Sequence, residues 1–245
     1  MSKPHLAVIV PAYNEEDRIA PTLARLHEYF VAQKYTWKVV VVSDGSRDKT
    51  CEIVRAFASG HPGFELIDSQ PNHGKGFVVR KGMMETEAEW LLFSDADLAA
   101  PIEEVEKLFI AVEKGPPIAI GSRPLKESRL EVRQPWYREL AGRTFNLVVQ
   151  TLAVKGIKDT QCGFKLFRED VAKDVFPRCK LDGYGFDFEA LLIARDLGYE
   201  IAEIPIRWAH QEGSKVSMVR DGLRMICELF KLRLAGKRNR LKPRS

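Results

Sequence analysis

Two carboxylates, Asp95 and Asp97, stand one residue apart at the end of the apolar run Trp90–Phe93, in the stretch W-L-L-F-S-D-A-D-L-A-A-P. A short run of that kind makes a buried strand. If the chain stays extended beyond it, the two-residue period puts both carboxylates on one face. Hard oxygen donors at the carboxyl end of a strand suit Mg2+ or Mn2+, which in turn can hold a diphosphate. The same residues also suit a plain helix start, because Pro101 and Glu103–Glu104 follow, and the spacing alone leaves both readings open. A spread of arginines, Arg123, Arg129, Arg133, Arg138 and Arg143, offers planar forks that pair with phosphate, although exposed arginines are commonly just solvated. Asp187 and Glu189, in G-F-D-F-E at 185–189, suit a general base or, equally, helix N-terminal charges that complement the dipole. His73 reads as a loop residue.

Positioning these groups requires alternating elements, and the first half of the chain supplies them. Leu6–Val10 is a near-continuous apolar run that ends in Pro11-Ala-Tyr-Asn-Glu-Glu, and Ile19, Leu23, Leu26 and Phe30 then mark one face of a helix. Val39–Val42 ends in Ser43-Asp-Gly-Ser-Arg-Asp, before a helix that turns Ile53, Val54 and Phe57 inward. Phe64–Ile67 leads to Pro71-Asn-His-Gly-Lys-Gly and a helix to about Glu87. After the two aspartates come a helix over 101–114 and a strand, Pro117–Ile120, that ends in Gly121-Ser-Arg. Strand–helix alternation of this kind predicts a doubly wound α/β domain with a mostly parallel central sheet and helices on both faces. Every polar cluster then falls at the carboxyl end of a strand, where open α/β sheets bind ligands. Tyr13, Asn14, Asp44, Lys75, Asp95, Asp97 and Arg123 are thus expected in one crevice.

The second half is less regular. Pro124–Gln134 reads as a long charged loop, Pro135–Val154 as a helix with Leu140, Phe145, Leu147 and Val148 inward, and Asp159–Phe167 as a turn into a short strand. Phe186–Leu197 reads as a helix closed by Gly198, and Tyr199–Trp208 as an edge strand because Pro205 cannot donate to a ladder. The catalytic domain is placed at 1–215 and a basic amphipathic helix and tail at 216–245. In that helix Val219, Leu223, Ile226, Leu229 and Phe230 form the expected apolar stripe, and Gly236–Ser245 is expected to be disordered.

At 245 residues with 45% hydrophobic and 29% charged residues, the composition is that of a globular protein. No apolar run reaches the length of a membrane span. Four scattered cysteines, Cys51, Cys162, Cys179 and Cys227, suit reduced thiols in a cytoplasmic setting better than a zinc site or disulfides. From Arg220 to Ser245 there are nine Lys/Arg against two Asp/Glu, a local charge of +7, so the preceding 219 residues carry −3. A basic amphipathic helix either packs on the domain with a solvated face or lies on an anionic membrane surface. Nothing here calls for a nucleic-acid partner, since a basic binding module would leave Asp95 and Asp97 without a purpose.

Taken together, the sequence resembles the family 2 glycosyltransferases, inverting nucleotide-sugar enzymes with the GT-A fold. Within them it is most similar to the dolichyl-phosphate β-glucosyltransferases and their bacterial relatives. The resemblance rests on V-P-A-Y-N-E-E at 10–16, S-D-G-S-R-D at 43–48, N-H-G-K-G at 72–76, S-D-A-D at 94–97, G-S-R at 121–123, R-Q-P-W-Y-R at 133–138 and K-G-I-K-D-T-Q-C-G-F-K-L-F at 155–167. It implies transfer of glucose from UDP-glucose to a polyprenyl phosphate with Mg2+ or Mn2+. By the same resemblance Pro11, Tyr13 and Glu15 surround the nucleobase, Asp44 hydrogen-bonds it, and Lys75 and Gly76 close over the nucleotide. Asp95 and Asp97 meet the diphosphate and metal, and Arg123, Arg138 and Arg143 take the lipid phosphate. Asp159, Gln161 and Lys165 close over the sugar. Two features depart from the pattern. Ala99 stands where mannosyl-phosphate synthases often carry a metal-binding glutamine, and the N-terminal membrane helix of the eukaryotic glucosyl enzymes has no counterpart.

An alcohol acceptor needs a general base, for which Asp187 and Glu189 are the candidates. A phosphate monoester with a second pKa near ~6 is already largely dianionic at neutral pH and needs none. A transferase with a small or glycan acceptor would use the same donor residues. A nucleotidyltransferase would instead show a glycine-rich basic loop where P-A-Y-N-E-E stands.

Overall fold

The computed structural model describes residues 3–132, 149, 154–211 and 220–244. Its centre is β1 (Leu6–Ala12), buried along its whole length. Leu6, Val8 and Val10 enter one core and Ala7 and Ile9 the other, as the strand period requires. Parallel partners flank it: β2 (Trp37–Asp44) pairs Leu6 with Trp37, and β4 (Trp90–Ser94) pairs Leu6 with Trp90. Beyond β2 lies β3 (Phe64–Ser69), also parallel.

On one face Ile19, Leu23, Leu26 and Phe30 of α1 (Ile19–Val31), Val54 of α2 (Thr50–Gly60) and Leu108 of α4 (Val105–Val112) close the first core. On the other face Val78, Val79 and Met83 of α3 (Lys75–Glu85), Val171 of α5 (Glu169–Val175) and Leu191 of α6 (Phe186–Leu197) close the second. Gly198 ends α6 with φ 94°, the left-handed cap expected of it.

The sheet order is β3-β2-β1-β4-β7-β5-β8, with β5 at Ile118–Ser122, β7 at Phe164–Arg168 and β8 at Ile201–Pro205. Strand β7 runs antiparallel to both β4 and β5, whereas β8 is parallel to β5 and forms the edge. Because β7 starts at the edge where β4 and β5 end, it delivers residues 159–163 to that edge. Among the described strands of this sheet, β7 alone runs against the rest.

Three sequence expectations change. The stretch 124–134 is not only a loop: β6 (Arg129–Val132) pairs in parallel with β9 (Arg207–Ala209), a partner too distant in sequence for local pattern to reveal. The tail is ordered as well. Helix α7 (Arg220–Arg240) passes a left-handed Gly236 at φ 71°, buried Arg240 donates from Nε to Asp196 at 2.8 Å, and Arg244 forks onto Asp182. Finally, the single stripe expected on α7 divides. Leu229 and Leu232 enter the second core, while Leu223, Phe230 and Leu234 are exposed. The boundary drawn at 215/216 thus precedes a helix that shares the domain's core. Apart from Val149 and Val154, both in the second core, the expected helix at 135–154 lies outside the described residues, with Leu140, Phe145, Leu147 and Val148, as do Arg133, Arg138, Arg143 and Val219.

Candidate active site

The carboxyl ends of β1, β2 and β4 meet in a cleft of about 570 Å³, closed on its far side by the 183–184 loop and by one face of α7. Strand β4 stops at Ser94, so Asp95 and Asp97 are not held on an extended strand as expected. They sit on a tight turn in which Leu98 N–H donates to the Asp95 carbonyl at 3.2 Å and Leu98 takes φ 45°. A left-handed leucine is strained; here it folds the chain back so that both carboxylates line the cleft. The Ala99 N–H donates to Asp97 Oδ1 at 3.0 Å. Burial, together with the charge of Asp95, raises the Asp97 pKa above the ordinary carboxylate value.

Lys75 Nζ lies 2.6 Å from Asp95 Oδ1 and 5.1 Å from the centre of the Phe93 ring. Burial works against its charge, but Asp95, Asp187 and Asp97 overcome that and hold its pKa above the ordinary lysine value. The loop that carries it is shaped by its neighbours. Asp44, the last residue of β2 and 3% exposed, accepts three hydrogen bonds at 2.8 Å, from Asn72 Nδ2 and from the His73 and Gly74 amides. Gly74 has φ 116°, and a side chain there or at Gly76 would strike the backbone of residues 181–183. The Gly76 amide donates to the Asp182 carbonyl at 2.7 Å. Gly76 therefore packs beneath the 181–183 loop, whereas Gly74 and Lys75 face the cleft.

The first loop completes the rim. Pro11, Tyr13 and Glu15 line the cleft. Asn14, at φ 50°, accepts the Arg47 amide at 2.8 Å on its side chain, and the Glu15 amide donates to Thr50 Oγ1 at 2.7 Å. Sequence reading missed Arg18, which pairs with Glu15 at 2.6 Å and faces the cleft, and also missed Tyr184, Asp221, Arg224 and Glu228. A four-residue offset from Glu15 to the start of α1 could have flagged Arg18. Nothing local flags residues that arrive from α7.

Arg123, Asp159, Lys165 and Asp187 lie beside this cleft and are paired with one another. Arg123 forks onto Asp159, with Nε to Oδ2 at 2.6 Å and Nη2 to Oδ1 at 2.8 Å, and its guanidinium lies 5.4 Å from the centre of the Trp208 ring. Asp159 is fully buried; burial opposes its charge, but Arg123 prevails and lowers its pKa. Lys165 is paired with Asp187, both almost fully buried. Burial nonetheless holds the Asp187 carboxyl above its ordinary pKa. Glu189 Oε2 accepts the amides of Lys180 at 3.0 Å and Leu181 at 2.8 Å, and burial pushes its pKa up to about 7. Neither Asp187 nor Glu189 lines the cleft. Gln161 Nε2 is buried, with no hydrogen-bond partner among the described residues. Gly163 lies directly against Asp95: its carbonyl accepts the Asp95 amide at 3.1 Å, and an added Cβ would fall on the Asp95 carboxylate.

Among the described residues no group of three or more His, Cys, Asp or Glu is disposed to hold a metal. Two carboxylates close enough to raise the Asp97 pKa do suit a cation that takes its other ligands from diphosphate and water. No helix among the described residues is long and apolar enough to cross a membrane.

Residues 7–176 match the model of glycosyl transferase family 2. The chain is 36% identical over 227 residues to the dolichyl-phosphate beta-glucosyltransferase ALG5C of Trichomonas vaginalis, covering 89% of this chain and 67% of that one. It is 33% identical over 241 residues to the dolichyl-phosphate beta-glucosyltransferase of Dictyostelium discoideum, with 94% and 74% covered. In fold it is similar to glucosyl-3-phosphoglycerate synthase from Mycobacterium tuberculosis, solved with Mn2+, UDP and glucosyl-3-phosphoglycerate. That likeness has a TM-score of 0.65 at 16% identity and covers 96% of this chain and 80% of that one. The fold is GT-A.

Proposed function

The chain belongs to glycosyl transferase family 2, and we propose that it transfers glucose, with inversion, from UDP-glucose to a polyprenyl phosphate at the cytoplasmic face of a membrane. Two relatives, matched over most of this chain at 36% and 33% identity, are named dolichyl-phosphate beta-glucosyltransferase, which supports glucosyl transfer to a dolichyl-type phosphate. The observation that carries the reading is the division of labour at the carboxyl edge. A donor cleft holds Asp95, Asp97 and Lys75, and the two carboxylates that could have served as bases are committed elsewhere.

In this reading Pro11, Tyr13 and Glu15 frame the nucleoside, and Asp44 acts on it both through its remaining acceptor capacity and through the 72–74 loop it holds. Asp95 and Asp97 would hold Mg2+ or Mn2+, which when bound would supply charge stabilisation for the departing diphosphate. Lys75 adds a fixed positive charge beside the same oxygens and restrains Asp95. An acceptor that arrives as a phosphate dianion requires no proton removal, which agrees with the withdrawal of Asp187 and Glu189 from the cleft. What the acceptor requires is relief of its repulsion from the diphosphate, the task assigned to Arg138 and Arg143, with Arg123 fixed by Asp159 at the end of β5. Gln161 and Lys165 lie on the segment that delivers Gly163 to Asp95 and shape the sugar side.

The test is to mix labelled UDP-glucose, Mg2+ or Mn2+ and a polyprenyl phosphate with the protein, with Asp97→Ala alongside. Lipid-linked glucose that disappears in the variant is the expected result. UDP release without lipid product would transfer the reading to a non-lipid acceptor, and no turnover of any nucleotide-sugar would overturn it.

A further inference from the structure

Helix α7 has two apolar faces, and the domain covers only one. Met225, Leu229 and Leu232 turn to the core. On the opposite side Leu223, Cys227, Phe230 and Leu234 follow one another at spacings of four, three and four residues, which aligns them along one stripe. Leu223 is 61%, Phe230 49% and Leu234 86% exposed. Large apolar side chains in a row on a surface mark an interaction site.

The charge around the stripe is of one sign. Lys231 and Arg233 are exposed on this helix and Lys237 and Arg238 are exposed just past the kink at Gly236, while Asp221, Glu228 and the Arg224 that pairs with Glu228 at 3.0 Å belong to the cleft wall. An apolar stripe flanked by Lys and Arg is the pattern of a helix lying in a bilayer interface, with its apolar side chains among the acyl chains and its cations at anionic headgroups. The same charges argue against a second copy of the chain as the occupant, because a two-fold contact would bring identical cation rows together.

We propose that the Leu223–Cys227–Phe230–Leu234 face of α7 lies on an anionic lipid bilayer. The helix then has one side on the membrane and another in the nucleotide cleft, through Asp221, Arg224, Met225 and Glu228. That places the mouth of the cleft at the depth where a lipid-borne phosphate is presented. The inference rests on the proposed lipid acceptor for its purpose, but its test reads binding alone and needs no turnover.

The experiment is co-sedimentation of the full chain with vesicles of phosphatidylcholine, with and without phosphatidylglycerol, together with the double variant Phe230→Glu/Leu234→Glu. Both positions are exposed and outside the cleft, so the variant's affinity for UDP should match wild type and report that the fold is intact. The expected result is binding to the anionic vesicles only, weakened by salt. In the double variant binding should be weaker by more than about a hundredfold, since two buried apolar side chains become charges. Equal binding by wild type and variant, no preference for anionic vesicles, or absence of vesicle binding would each overturn the proposal. So would a wild-type dimer that the variant dissociates without any vesicle binding. Loss of UDP binding by wild type would instead count against the proposed transferase reaction and leave the membrane face standing.

Discussion

The two halves of the sheet's carboxyl edge use charge in opposite ways. On β1, β2 and β4 the loops are held largely by backbone groups and short polar side chains, as when Asp44 takes the amides of His73 and Gly74, and the remaining charges face an open cleft. On β5, β7 and α6 the charges neutralise one another inside the protein, as Arg123–Asp159 and Lys165–Asp187. The first arrangement pairs Lys75 with Asp95 and Arg18 with Glu15 at the cleft wall, where a ligand can still reach them. The second spends its charges on placing the 159–163 segment against Asp95. A substitution in the first half should therefore be felt in turnover and one in the second half in folding.

The largest effect expected is Asp159→Ala, which strands the Arg123 guanidinium next to a buried vacancy. Removing one partner of a fully buried pair costs about 3–5 kcal/mol; a quarter of the Arg123 side chain reaches solvent, so urea unfolding should show a loss near the lower end of that range. A loss below about 1 kcal/mol would mean that the second half is not built as described. Next comes Asp97→Ala, with the opposite signature. Turnover should fall about 10³-fold, or ~4 kcal/mol of transition-state stabilisation, while the urea midpoint stays close to wild type. If Asp97→Ala unfolds the protein, the contrast between the two halves collapses.

How much of this was legible in the sequence follows the same division. Tyr13, Asp44, Lys75, Asp95 and Asp97 follow apolar runs, and the cleft contains all five, whereas Asn14 and Arg123, expected with them, do not line it. The antiparallel sense of β7 and the pairing of β6 with β9 depend on partners far along the chain, and no local pattern encodes them. The roles of Arg123 and Asp159 were obscured for a related reason. A charged residue reads alike whether it meets a ligand or another buried charge. On α7 the periodicity located the helix but merged two apolar faces into one, because a helix that is apolar on both sides has no single direction. Arg240 and Arg244 looked like solvated tail charges until their partners, Asp196 and Asp182, were in view.

Glu189 gives a pH-dependent form of the comparison. Its pKa rises from an ordinary 4.5 to about 7 because it is buried, with Arg80 and Lys180 the cations that partly oppose the rise. Between those values the native state holds a proton that the unfolded chain has lost. Its contribution to stability is therefore full below about pH 4.5 and disappears as pH rises through about 7. The size is on the order of 3 kcal/mol at most. Glu189→Gln keeps an acceptor for the Lys180 and Leu181 amides and removes the titration, so its stability relative to wild type should improve steadily from pH 4.5 to 7.5. Parallel curves for the two proteins would show that Glu189 is ionised in the native state throughout.

The smallest effect expected, and the one that sets the two halves against each other most closely, is at Gly163. This residue belongs to the second half by sequence, yet its carbonyl bonds the Asp95 amide and an added Cβ would meet the Asp95 carboxylate of the first half. A Cβ there meets the Asp95 carboxylate, the free end of a short side chain, and not rigid backbone. Rotating that carboxylate aside costs little folding energy, so Gly163→Ala should lower stability by less than about 1 kcal/mol. The displaced carboxylate would, however, lose its 2.6 Å pairing with Lys75 and its position beside Asp97. Turnover should fall about tenfold, ~1.4 kcal/mol, with the Mn2+ or Mg2+ concentration needed for half-maximal activity shifted upward. Unchanged turnover and metal dependence would mean that Asp95 is not fixed by the 159–163 segment, and that the buried pairs behind it position something else.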